Sequence, residues 1–320
     1  MKFEIVKATL PGDYEVMAEI HNALFPGDPF TAGTIQRQYE NPPEKCRRGI
    51  FMARRNGTAL GFASYRQEVW AYAPDRFRVQ VDVVPEQQRQ GIGSALYRQL
   101  LAALEPHNPR QFMGYVRQDM QGSRRFAERR GYVELDRDWE SHLDPAGVDL
   151  AQFNDLERKL AAQGIEIKTL AELEASDPAC RRKIYELDWL ASRDIPMAVK
   201  PTKPSFGQYE KDVFENPNLL PEAFFIAVDG DAYAGTSSLW RSPQEAGKLK
   251  TGFTGVAPAY RRRGIALAMK VRAIGYAQAH GNPMLRTWNA RNNRPMLAIN
   301  ERLGFVRQPG WIIYRKEIGD

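Results

Sequence analysis

The sequence is poor in the residues that build metal centres and disulfide frameworks. Its 320 residues include two cysteines, Cys46 and Cys180, and four histidines, His21, His107, His142 and His280. Two distant thiols make no framework, and no histidines stand at the short spacing of a zinc ligand set, so no metal is expected. Long apolar runs are also missing. Nothing approaches the roughly 20 consecutive apolar residues of a membrane span, and the first residues lack the apolar core of a secretory signal. A cytoplasmic protein with no membrane partner is therefore expected. What is present suits a globular chain: 43% hydrophobic residues, and 45 lysines and arginines against 39 acidic residues, a formal net charge of +6. That excess favours an anionic ligand. A nucleic-acid partner is not expected, because the basic clusters are not interleaved with aromatics and match no binding module.

The chain repeats itself. Val83-Val84-Pro85 is followed by Gln88-Arg89-Gln90-Gly91-Ile92-Gly93, and Val256-Ala257-Pro258 by Arg261-Arg262-Arg263-Gly264-Ile265-Ala266. Gly91 and Gly264 are 173 positions apart, and the same offset relates Gly131 to Gly304 and Gly57 to Gly230. Three landmarks in one register imply two homologous halves, which also suits the length. The expected domains are 1–143 and 165–320, joined by a helical connector over 144–164.

Periodicity and turn signals predict the elements of the first half: a strand over 3–7, a helix over 13–24, a hairpin of strands 50–54 and 59–65, and a strand over 77–84. A helix over 91–104, a strand over 112–116, a short helix over 123–130 and an extended segment over 132–142 follow. The second half repeats the order: strand 165–168, helices 177–192 and 205–214, strands 223–228, 232–239 and 249–256, helix 264–279, strand 284–287, helix 294–303 and strand 305–316. The expected fold class is α/β, with a mixed sheet in each half. A proline-rich loop over 195–204 has no counterpart in the first half. It could cover a pocket or pack between domains.

A strand that leads through a glycine turn into a helix presents unpaired backbone N–H groups at the positive end of the helix dipole. That is an anion site suited to a pyrophosphate. Gly91 and Gly264 stand where a side chain would obstruct a phosphate, and Gly93 and Ala266 keep the next position small. Ile92, Ser94 and Ile265 open the helices. Gln88, Arg89 and Gln90 in one copy, and Arg261, Arg262 and Arg263 in the other, put donors and charge at the rim. Neither copy contains the lysine-bearing run of a P-loop or the third glycine of a dinucleotide turn.

On these residues the chain resembles the GNAT superfamily of acyl-CoA-dependent N-acyltransferases, whose hallmark is an R/Q-x-x-G-x-G/A turn after a V-x-P strand end. The resemblance covers both halves and implies two tandem GNAT domains, similar to the two-domain enzymes of that superfamily. It implies acetyl-CoA as co-substrate. The pantetheine arm would lie along the long strand at Thr254 and Val256, or at Val81 and Val83, with Asn293 near the start of a following helix. A primary amine of a small molecule would attack the thioester directly, in a monomer or homodimer. The family's usual tyrosine acid is replaced by Asn300 in the second half and Ala127 in the first. Tyr314, Tyr260 or a water is the candidate to supply a proton, and Glu222 and Asp194 to remove one from the amine. Asp82 is a further candidate base in the first half, and Trp288 and Trp240 could shape a pocket. The second half, with its polar 289–293 run, is expected to be the catalytic copy. A non-catalytic acyl-CoA-binding or scaffold protein, and a protein N-acetyltransferase, are the alternatives.

Overall fold

The computed structural model of the chain describes residues 3–245 and 247–319. In chain order the first repeat folds as β1 (Glu4–Lys7), α1 (Asp13–Leu24), α2 (Ala32–Glu40), β2 (Arg48–Arg55), β3 (Thr58–Arg66), β4 (Arg76–Val83), α3 (Ile92–Leu104), β5 (Gln111–Arg117), α4 (Gln121–Glu128) and β6 (Val133–Leu143). After α5 (Asp155–Ala161) the second repeat runs β7 (Ile165–Thr169), α6 (Leu170–Ser176), α7 (Cys180–Ser192), α8 (Phe206–Tyr209), β8 (Leu219–Asp229), β9 (Ala232–Arg241), β10 (Leu249–Val256), α9 (Ile265–Ala279), β11 (Leu285–Ala290), α10 (Arg294–Arg302) and β12 (Val306–Glu317). The mixed α/β class agrees with the sequence. One helix was not anticipated. Thr169 and Glu172 form a capping box, with Thr169 N–H donating to Glu172 Oε2 at 2.6 Å, and this starts α6 ahead of the break at Pro178.

The chain forms two compact units, and they do not follow the chain order strictly. The first contains the chain up to Asp136, Ala198–Pro204, and the chain from Trp311 onward; the second contains Arg137–Met197 and Ser205–Gly310. The strand order in the first unit is β1-β2-β3-β4-β5-β12, and in the second β6-β11-β10-β9-β8-β7. Each unit is thus completed by the strand that ends the other repeat. In the first, Trp311 to Glu317 pair antiparallel with Arg117 to Gln111. In the second, Asp138 to Leu143 pair antiparallel with Ala290 to Leu285. Gly310 marks the transition, since a Cβ there would lie 2.3 Å from the Asp138 carbonyl oxygen. The second half of the proline-rich loop belongs to the first unit, where Thr202 N–H donates to the Trp70 carbonyl at 2.7 Å.

Helices cover both faces of each sheet. In the first unit Ile92, Leu96, Leu100 and Leu104 line one stripe of α3 and pack on Phe77, Phe112, Ile312 and Tyr314. The opposite face is covered by Tyr14, Met17, Ile35 and Tyr39 of α1 and α2, which rest on Ile50, Met52 and Phe62. The second unit repeats the plan, with Ile265, Ala268 and Met269 of α9 on one side and Ile184 and Tyr185 of α7 on the other. Each of these large side chains contributes roughly 1.5–3 kcal/mol on full burial, so both sheets are held from two sides.

The pairing that matters for a ligand is short. β4 runs parallel to β5 at Arg76, Phe77 and Arg78. β10 runs parallel to β11 at Leu249 and Lys250. Beyond these positions neither pair is hydrogen-bonded among the described residues, so each unit has a wedge between its two central strands that opens toward the glycine turn.

Candidate acyl-donor clefts

The two turns are built alike. A single 3-10 turn, Pro85–Gln87 or Pro258–Tyr260, leads from the strand into extended backbone at Gln88 or Arg261. Arg89 and Arg262 then take φ of 61° and 64°. Gly91 and Gly264, with φ of 83° and 88°, cap α3 and α9 without any side-chain hydrogen bond. Left-handed backbone at alternate residues turns successive N–H groups to one side, and the helix start adds its unsatisfied donors. A Cβ at Gly91 or Gly264 would meet no protein atom within 4 Å, so both glycines border open space. The requirement for glycine comes from φ and from whatever occupies that space.

Two of the three rim side chains turn out to build the turn. Gln88 Nε2 donates to the Val83 carbonyl at 3.1 Å, and Arg261 Nε donates to the Val256 carbonyl at 3.1 Å. Gln90 Nε2 reaches the Glu86 carbonyl at 3.4 Å, and the Arg263 guanidinium reaches that of Ala259 at 3.2 Å. Glutamine and arginine are interchangeable at these positions because each supplies one N–H at the same reach. Arg89 and Arg262 are exposed at the left-handed step between them. Ser94 Oγ accepts from Arg130 at 2.7 Å, and Gly93 packs near the Phe126 ring. Ile92 and Ile265 are core residues, and Ala266 is half-buried.

The long strands differ between the units. β4 pairs with β3 without interruption from Val83–Gly61 to Arg78–Arg66. On β10 the register shifts by one between Thr251 and Thr254, so that Gly252 and Phe253 together face Ser238. This is a β-bulge, which leaves one residue out of the ladder and re-aims its backbone groups. Val81 and Val83 in the first unit and Val256 in the second pack partly against their cores. The Thr254 hydroxyl shares a hydrogen bond of 2.9 Å with Ser237.

The candidate proton-transfer residues are not brought together. Asn300 is 2% exposed and donates from Nδ2 to Asn289 Oδ1 at 2.7 Å, while its Oδ1 has no hydrogen-bond partner. It borders a cavity of about 360 Å³ with Ser141, Leu297, Glu301, Phe305 and Arg307. Tyr314 is on β12 in the first unit, where its hydroxyl donates to Glu128 Oε1 at 2.7 Å. Burial and that carboxylate push the Tyr314 phenol up. Glu222 is exposed on β8, accepting from the Tyr276 hydroxyl at 3.0 Å. Twelve residues of helix separate Tyr276 from Gly264, about 18 Å along α9. Asn293 caps α10, its Oδ1 accepting from Met296 N–H at 3.4 Å. Asp194 pairs with Arg261 at 2.9 Å on the surface, and Tyr260 donates to Asp229 at 3.0 Å. Trp288 donates to Glu140 and Trp240 to Ser238.

A buried polar cluster in the second unit escaped sequence reasoning. Asp188 on α7 accepts from the Tyr209 hydroxyl of α8. Burial pushes its carboxyl up to about 7, against the pull of Tyr209 and of the nearby Thr236 hydroxyl. Thr236 pairs with Gly255 of β10. Asp188 Oδ1 and Thr236 Oγ1 nevertheless form no well-aligned hydrogen bond, which leaves two buried oxygens unsatisfied at the back of the cleft strand. Asp188 interrupts the apolar stripe of α7 between Ile184, Leu187 and Ala191, and that was the available signal.

The Acetyltransferase (GNAT) family model matches residues 14–132 and 182–305, one match for each repeat. The chain belongs to the GNAT family. It is a tandem GNAT acyltransferase, and the family in general uses acetyl-CoA. The chain is 24% identical over 248 residues to a mycothiol acetyltransferase of Thermobifida fusca, covering 73% of both chains. It is 24% identical over 241 residues to the mycothiol acetyltransferase of Geodermatophilus obscurus, covering 73% of this chain and 72% of that one. Among solved structures, a tandem GNAT protein from the clavulanic acid biosynthesis pathway superposes with a TM-score of 0.75 at 19% identity, over 100% of this chain and 99% of that one. A GCN5-related N-acetyltransferase from Sphaerobacter thermophilus gives 0.68 at 19% identity, over 99% and 96%. These structural likenesses concern the fold. No helix among the described residues is long and apolar enough to cross a membrane.

Proposed function

We propose that the protein transfers an acetyl group from acetyl-CoA to a primary amine of a small molecule, and that the second unit carries out the transfer. The pyrophosphate would rest on the N–H groups of the Arg261–Ala266 turn, with Arg262 adding charge. The pantetheine arm would extend β10 along its open edge near Thr254 and Val256, as an added strand. A neutral amine then attacks the thioester carbonyl. The C–N bond forms, the C–S bond breaks, the nitrogen gives up a proton and the CoA thiolate takes one. A backbone N–H released from the ladder would stabilise the oxyanion, and positioning would supply most of the remaining rate.

The bulge on β10 carries this reading, because it leaves a residue out of the β9 ladder and re-aims its backbone groups, whereas β4 keeps its ladder with β3 intact. The relatives named as mycothiol acetyltransferases support the substrate class. Asn300 can donate a hydrogen bond to the departing sulfur but cannot protonate it, so the second proton would reach the thiolate through water. That same residue favours a second reading, a unit that binds acyl-CoA without turnover. A thiol-release assay with acetyl-CoA and a panel of small primary amines separates the two. We expect amine-dependent release that falls at least 100-fold in Gly264→Asp and persists in Gly91→Asp. Release retained in Gly264→Asp would overturn the assignment to the second unit, and no release with any amine would favour the binding protein.

A further inference from the structure

The two exchanged strands sit in equivalent registers and fill them differently. Tyr314 of β12 pairs with Gly114 of β5, and Ser141 of β6 pairs with Thr287 of β11. Both relations follow the 173-residue offset, which carries 114 to 287 and 141 to 314. Ser141 therefore stands in the second unit where Tyr314 stands in the first. One core holds a phenol ring at this point and the other holds a small hydroxyl.

In the first unit the ring is part of the packing. Tyr314 is 2% exposed and belongs to the core that contains Phe112, Tyr132 and Ile312. Its hydroxyl donates to Glu128 Oε1 at 2.7 Å, although Arg124 stands 3.9 Å from the same oxygen. The second unit keeps the acceptor without the ring. Glu301 on α10 takes the position of Glu128, Leu297 that of Arg124, Asn300 that of Ala127 and Phe305 that of Tyr132. Together with Ser141 and Arg307 these four residues line the cavity of about 360 Å³. An apolar cavity of roughly 150 Å³ already binds benzene, so this one has room for a substituted ring.

The lining suits such a ring in chemistry as well as in size. Leu297 and Phe305 are buried and offer apolar surface. Asn300 is buried too, and its Nδ2 is committed to Asn289 Oδ1, so its own Oδ1 is an acceptor without a donor. A buried acceptor of that kind is costly until a donor meets it. Glu301 and Arg307 are exposed and 3.5 Å apart, which puts the mouth of the cavity at the surface. Arg307 also lies over the Trp139 ring at 4.8 Å. One cation beside Glu301 leaves further lone pairs for a hydroxyl, as Glu128 demonstrates beside Arg124.

We infer that the second unit carries a binding site for a small phenol between α10 and the exchanged strand β6. The ring takes the place that Tyr314 fills in the first unit, against Leu297 and Phe305, and its hydroxyl is received by the α10 acceptors Glu301 and Asn300. This site is on the β6 side of β11, whereas the wedge that opens toward the glycine turn is on the β10 side. It requires neither acetyl-CoA nor turnover.

Calorimetric titration of the full chain with 4-methylphenol, and with 4-methylanisole as the counterpart that lacks the donor, tests this directly. The wild type should bind the phenol at least tenfold more tightly than the ether. Ser141→Tyr rebuilds the side chain of the first unit inside the cavity, and phenol binding should be lost with the thermal transition retained. Glu301→Gln changes an exposed side chain and keeps its shape. It should weaken the phenol severalfold and leave the ether unchanged, which settles the matter should the tyrosine variant fail to fold. No binding of the phenol, equal binding of the ether, phenol binding retained in a folded Ser141→Tyr chain, or phenol binding indifferent to Glu301→Gln overturns the inference.

Discussion

Asp188 is the residue at which charge and burial conflict most openly. Its carboxyl is raised from an ordinary 3.8 to about 7, with burial as the main cause. Between those values the folded chain holds a proton that the unfolded chain has released. The neutral carboxyl therefore contributes fully below about pH 4, and its contribution is lost as pH rises through 7. Asn at this position cannot ionise and can still accept from Tyr209. Urea unfolding of Asp188→Asn should show a gain relative to the wild type of on the order of 3 kcal/mol between about pH 5 and pH 8. Parallel stability profiles would show that Asp188 is not neutral in the folded chain. The glycine turns were legible in the sequence because their spacing and residue types encode backbone geometry directly. Asp188 and Tyr209 were not, because they stand on different helices and meet only through packing. Gln88 and Arg261 lie between these cases: their position was legible, whereas their bond to the strand-end carbonyl needed the fold.

The elements themselves were largely written in the 173-residue offset, since both halves repeat the same order of strands and helices. What the offset could not convey is which sheet receives the last strand of each half. β6 and β12 are both long and extended with interleaved polar and apolar residues, and either could satisfy the edge of β5 or β11. Tyr314 illustrates the consequence: assigned by sequence order to the second half, it lies in the first unit with its hydroxyl on Glu128. The exchange predicts long-range effects of a terminal change. Truncation after Gly310 removes the partner of β5 together with Ile312 and Tyr314 from the first core. Hydrogen exchange should then accelerate across 111–117, about 200 positions away in sequence, while 285–290 keeps its protection from β6. Unchanged protection of 111–117 would contradict the exchanged arrangement.

For the whole molecule, the repeat places two left-handed glycine turns on one chain, each at the mouth of a wedge. The bulge on β10 distinguishes the two long strands, but the turns are matched in φ, in strand-end hydrogen bonds and in open space around the glycine. Both should therefore take the anionic end of acetyl-CoA. Aspartate at either glycine adds a carboxylate where the phosphates would sit; its Cβ meets no protein atom within 4 Å, and the left-handed φ costs roughly 1–2 kcal/mol, which a thermal transition registers separately from binding. The most direct test is calorimetric titration of the wild type, Gly91→Asp and Gly264→Asp with acetyl-CoA. Two sites in the wild type and one in each variant are predicted. A Gly264→Asp chain that binds acetyl-CoA as the wild type does would contradict the account.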